Sequence, residues 1–169
     1  MDTLPGTPSE RRSPLWAALI IAILPVVAAS LLGSAATVPQ IASWYAGLAK
    51  PPFNPPNWIF APVWTALFAL MALAAFRILR LPAGLPGRRR ALLVYHLQLV
   101  LNIGWSFAFF GANSPVAGLF VILPLLALIL ATIAAFRPLD GLAANLLWPY
   151  FAWVAFATLL NASIWWLNR

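Results

Sequence analysis

The sequence contains no cysteine, so a disulfide framework, a thiolate metal site and a thiol nucleophile are all excluded. Acid is almost as scarce. The three acidic residues, Asp2, Glu10 and Asp140, fall in the N-terminal tail or at a helix end, which leaves no carboxylate pair for acid/base hydrolysis. No carboxylate or lysine stands inside an apolar run, where an ion-coupled transporter needs one. Charged residues make up 8% of the chain, against about 25% in soluble domains, so there is too little polar surface to cover a water-soluble globule.

What the chain has instead is apolar runs. Five of them, about residues 15–38, 58–80, 91–110, 115–137 and 141–167, can each cross a hydrocarbon layer of about 30 Å at about 1.5 Å per residue. The expected fold is all-α, a single domain forming a five-helix transmembrane bundle. Residues 1–14, rich in Pro, Ser, Thr and charge, read as a disordered leader. The first run is too long for a signal-peptide core and reads as a retained span. Ser114 followed by Pro115 marks the start of the fourth span, and Asp140 is a cap for the fifth. Pro25, Pro124 and Pro149 fall within spans and predict kinks. The one long connection is Pro39–Asn57.

The net charge of +7 is not a nucleic-acid signal, because the basic residues cluster at span ends instead of along one face. Arg11, Arg12, Arg77, Arg80, Arg88, Arg89, Arg90 and Arg137 fall on one side of a five-span layout, with only Lys50 and Arg169 on the other. The positive-inside rule then puts the N-terminus inside and the C-terminus outside.

Polar groups within the spans concentrate on the third and fifth. Tyr95, Gln98, Asn102, Trp105, Ser106 and Phe109 recur at helical spacing and share one face, which should point into the bundle. Ligand contact and interhelical hydrogen bonding both suit such a face. His96 lies about 100° away from it and fits an interfacial position better than a metal-ligating one. Nine tryptophans need more than one explanation. Trp16, Trp165 and Trp166 sit at span ends as belt residues. Trp64, with Phe68 one turn on, Trp105 and Trp153 lie deeper, the last followed at one-turn intervals by Ala157 and Asn161. They are either packing filler or flat walls for a planar, mostly apolar ligand oriented by a few amides.

These residues resemble those of the translocator protein family of tryptophan-rich sensory proteins, also called peripheral-type benzodiazepine receptors. The resemblance is carried by Trp44-Tyr45, Lys50-Pro51, Pro55-Pro56 and Trp64-Thr65, then Gln98-Leu99, Leu101-Asn102 and Trp105, then Pro149-Tyr150, Trp153, Ala157-Thr158 and Leu160-Asn161. It implies a five-helix bundle, homodimeric in the lipid bilayer, that binds protoporphyrin, haem and other planar apolar ligands in a pocket beneath the first loop. By position, Trp64, Phe68, Asn102, Trp105, Trp153, Ala157 and Asn161 would line that pocket, with Trp44 and Pro51 in the loop lid and Gln98 on the polar face. No obligatory cofactor and no metal site are implied. A receptor or sensor that regulates tetrapyrrole levels is one function this implies. The alternatives are light-dependent oxidative porphyrin breakdown, with Trp64 and Trp153 as the photochemical residues, or passive porphyrin or sterol transport. The sterol-recognition motif of animal members is absent, since its tyrosine and arginine positions hold Ala162 and Trp166, and the tryptophan usual between the loop prolines is Phe53. The Ala-, Pro- and Arg-rich composition points to a bacterial membrane, inner or outer.

Overall fold

A computed structural model describes residues 13–169. Most of the expected leader, residues 1–12, lies outside the described residues; Ser13 and Pro14 precede the first helix without regular structure. Among the described residues there are helices and no strands: α1 Leu15–Ile41, α2 Trp44–Gly47, α3 Asn57–Leu79, α4 Arg88–Ser106 running on into a π-helical turn Phe107–Gly111, α5 Pro115–Phe136, α6 Gly141–Asn145 and α7 Trp148–Leu167. Five segments, α1, α3, α4 with its π turn, α5, and α6 with α7, are long and apolar enough to cross a membrane. The chain is thus a multi-pass membrane protein. Around the bundle α1 touches α3 and α4, α3 touches α6 and α7, α7 touches α5, and α5 touches α4, which closes a ring.

The span limits differ from the sequence reading in instructive ways. The first helix runs through Pro39 to Ile41, and Ser43 Oγ donates to the freed Pro39 carbonyl at 2.9 Å. The long connection is not all loop, because Trp44–Gly47 forms one helical turn. The fifth span is broken at Leu146–Leu147, and Pro149 does not kink it. Proline in the first turn of α7 lacks an N–H that would have no helical partner there anyway. The two expected caps are present: Ser114 Oγ accepts from the Ala117 amide at 3.2 Å, and Asp140 Oδ1 from that of Ala143 at 2.9 Å.

The two ends of the bundle are built differently. At the arginine end small residues bring helices together, Ala18 and Ala22 of α1 and Ala74 and Ala75 of α3 all being fully or almost fully buried. Tyr95 stacks on Phe136 with centroids 5.9 Å apart and donates to the Met71 carbonyl at 3.1 Å. Arg88 turns back over the end of α3, donating from Nε to Ile78 O, which the Leu81 amide also reaches, and from Nη2 to Leu79 O, both in the last turn where a helix leaves its carbonyls without i+4 partners. Arg77 pairs with Asp140 at 2.9 Å. Burial opposes ionisation of that carboxyl, but the Ala143 amide and Arg77 outweigh it and hold its pKa below the usual value. This end is solid. The loop end is where the large rings and the free space are found.

Candidate ligand cavity

A cavity of about 270 Å³ lies at the loop end, enclosed by α1, α3, α4 and α7. Helix α1 contributes Ser30, Gly33, Ser34 and Thr37; α3 contributes Phe60, Trp64 and Phe68; α4 and its π turn contribute Asn102, Trp105, Ser106, Phe109 and Phe110; and α7 contributes Trp153, Ala157 and Asn161. Seven residues singled out from the sequence, Trp64, Phe68, Asn102, Trp105, Trp153, Ala157 and Asn161, therefore share one cavity. The inward face of α4 is as the spacing requires, with Tyr95, Gln98, Asn102, Ser106 and Phe109 all buried.

Three others stand elsewhere. Trp44 is edge-on to Phe109 and Phe110, at 5.4 and 6.4 Å, above the lining and not in it. Pro51 forms a separate groove with Lys50, Pro52, Ala162, Ser163 and Trp166. Gln98 is buried one turn below Asn102 and accepts from the Tyr150 hydroxyl at 2.9 Å, so its contact is with a helix and not with the cavity. His96 is also outside the lining, its Nδ1 2.7 Å from the Leu92 carbonyl.

The walls are aromatic and closely braced. Trp105 stacks on Phe109 at 5.6 Å, Trp64 leans on Phe68 at 5.4 Å, and Trp153 meets Phe60 at 5.8 Å and Phe156 at 5.6 Å. The π turn matters here. An α-helix rotates consecutive residues about 100° apart, whereas the wider turn leaves both Phe109 and Phe110 buried at the top of the cavity. No feature of the sequence announced it.

Over this end folds the segment between α1 and α3. Tyr45 packs against Phe109 and Phe110 and donates to Asn54 Oδ1 at 2.8 Å. Burial pushes the phenol up to about 12, against the smaller lowering by Asn54, so it remains a donor at neutral pH. Lys50 stands 4.7 Å over the Tyr45 ring, and the main chain of Ala49 is paired to the Asn168 side chain in both directions at 2.9 Å. The loop is tied to the far end of α7. To the side the enclosure is weaker, because Ser34 and Val38 on α1 and Ala61 and Thr65 on α3 line the cavity and are also exposed. They form a rim between two helices at membrane depth.

The part of α1 in this lining was not anticipated. Its signal was available in Ser30, Gly33, Ser34 and Thr37, small or polar residues recurring every three or four positions along an otherwise aliphatic span.

The sequence profile of the TspO/MBR family matches residues 12–167. The chain is 43% identical to the tryptophan-rich protein TspO of Chlorobaculum tepidum over 143 residues, covering 84% of this chain and 90% of that one. It is 42% identical to the tryptophan-rich sensory protein of Cereibacter sphaeroides over 118 residues, 70% of this chain and 72% of that one. With the human translocator protein it shares 38% identity over 123 residues, 72% and 73% of the two chains.

Proposed function

The chain belongs to the TspO/MBR family, and from that premise we propose that it is a membrane receptor for planar, mostly apolar molecules, tetrapyrroles such as protoporphyrin and haem among them, whose levels it helps regulate. The observation that carries the proposal is the cavity itself: indole and phenyl walls from three helices, with Asn102, Ser106 and Asn161 as its inner polar points. Flat walls favour a flat ligand, and a few amides orient it. Pockets for drug-sized ligands run to about 300–1,000 Å³, so 270 Å³ suits two or three fused rings as it stands. A tetrapyrrole would need either the rim between α1 and α3 or the loop to yield.

Among the described residues the lining holds no carboxylate, histidine or lysine, and its phenol, Tyr45, stays protonated and donates to Asn54, so the lining offers aromatic faces, hydroxyls and amides and no free axial ligand for haem iron. Binding would rest on stacking and shape. The proposed unit is a homodimer in a bacterial membrane with the arginine end in the cytoplasm, where Arg77, Arg80 and Arg88 gather around Ser13 and Asp140.

The alternative, light-dependent oxidation of bound porphyrin by oxygen, is favoured by one observation: Trp64 and Trp153 both face the cavity. Purified protein titrated with free-base protoporphyrin separates the two. A receptor gives a saturable shift of the porphyrin absorption band in the dark and no protein-dependent product under light and oxygen. Product formed only in light with the protein present would replace the receptor by the oxidase. The absence of saturable binding would end both.

A further inference from the structure

The protein holds the two cavity asparagines in different ways. Asn161 is engaged at both ends of its amide: Oδ1 accepts from Trp105 Nε1 at 3.2 Å, and Nδ2 donates to the Pro115 carbonyl at 2.8 Å. A main-chain carbonyl can only accept, so Asn161 cannot turn over. Asn102 has a single side-chain partner. Its Nδ2 donates to the Tyr150 hydroxyl at 3.1 Å, and that hydroxyl donates to Gln98 Oε1 at 2.9 Å.

A phenol has one hydrogen, which makes this chain directional. While Tyr150 gives its hydrogen to Gln98, it must receive one from the Asn102 amide, and the Asn102 carbonyl oxygen is left toward the cavity. Gln98 and Tyr150 are each 1% exposed and neither lines the cavity. Gln98 Nε2 has no hydrogen-bond partner among the described residues. Burying half an amide unpaired is costly, and an apolar side chain of similar shape would fill the place more cheaply. In the structure it is the carbonyl end of Gln98 that faces the Tyr150 hydroxyl.

We infer that Gln98 and Tyr150 are positioning residues that set Asn102 to offer a hydrogen-bond acceptor, so that the cavity selects planar ligands bearing an N–H or O–H donor on their edge. This rests on the cavity being a planar-ligand site. With both amides turned over, Tyr150 would donate to Asn102 and an NH₂ group would face the ligand instead, favouring a ligand carbonyl. The two directions predict opposite preferences.

Three flat tricycles of nearly equal shape read the direction: carbazole with an N–H donor, fluorenone with a carbonyl acceptor, and fluorene with neither. Affinities are measured by calorimetry on the full chain in nanodiscs, with empty nanodiscs subtracted. The wild type should bind carbazole about ten-fold tighter than fluorene or fluorenone, the value of one net hydrogen bond. Tyr150→Phe should bring the ratio of carbazole to fluorenone affinity close to one with fluorene affinity unchanged, because Asn102 is then free to turn, whereas Gln98→Leu leaves Asn102 Oδ1 to accept the Tyr150 hydrogen and should tip the ratio toward fluorenone. Melting temperature checks that each variant folds, and Gln98→Leu alone suffices if Tyr150→Phe does not. Equal binding of all three tricycles by the wild type, a preference for fluorenone, or a carbazole preference that survives Gln98→Leu would overturn the inference and leave the cavity reading intact. Failure of the wild type to bind any of them would overturn both.

Discussion

Gly118→Ala should destabilise the bundle by about 1–3 kcal/mol, the usual range for overpacking a filled site, and weaken ligand binding with it. A Cβ at Gly118 would stand 2.6 Å from Asn161 Oδ1 and 2.9 and 3.1 Å from two carbons of Phe109. Neither neighbour can give way cheaply. Asn161 is held by Trp105 on one side and Pro115 on the other, and Phe109 is stacked on Trp105 and edge-on to Phe110 at 4.8 Å. The remaining relief is for α5 to back away from α4 and α7, which loosens the wall that holds Trp105. Gly104 provides the control. A methyl there meets only Val121 at an ordinary 3.7 Å, so Gly104→Ala should be neutral or gain up to about 1 kcal/mol from helix propensity. Thermal unfolding in one detergent compares the two, and equal melting temperatures for Gly118→Ala and wild type would refute the tight contact.

The second large effect is expected at Ala157. It lines the cavity one turn from Trp153 and one turn from Asn161, where a ligand lying against the α7 wall would meet it. Leucine adds three carbons to a space of about 270 Å³. If overpacking of about 1–3 kcal/mol is felt only on binding, Ala157→Leu should weaken protoporphyrin about five- to 150-fold while the melting temperature stays near wild type. A small residue in a membrane helix can also serve close helix approach. In that case stability would fall first and affinity would follow it. Unchanged affinity in a well-folded Ala157→Leu protein would remove α7 from the site.

The features legible in the sequence were those with a local or periodic signal. Five apolar runs of sufficient length gave the spans, the spacing from Tyr95 to Phe109 gave the inward face of α4, and Ser114-Pro115 and Asp140 gave two helix starts. What escaped was decided by partners distant in the chain. Gln98 and Asn102 share a face of α4, but Tyr150 of α7 takes the first as its acceptor, and only the second reaches the cavity. Trp44 and Pro51 fall in the loop over the bundle end, yet which of its residues reach inward depends on the anchoring of Tyr45 to Asn54 and of Ala49 to Asn168. Pro149 reads as a mid-span kink, but with α6 packed against α3 and α5 the span breaks before it and the proline falls in the first turn of α7. The π turn and the Leu146–Leu147 break have no composition of their own.

A flat ligand is expected in the space between Trp64, Trp105 and Trp153, and an aromatic macrocycle reports its own position through its ring current. With alanine methyl groups isotopically labelled, the methyls of Ala29, Ala61 and Ala157, which line the cavity, should shift saturably as free-base protoporphyrin is titrated in the dark. Those of Ala18, Ala74 and Ala91, in the packed arginine end, should not move. Shifts that stay absent from the three cavity alanines, or that grow without saturating at alanines facing the lipid, would contradict the account.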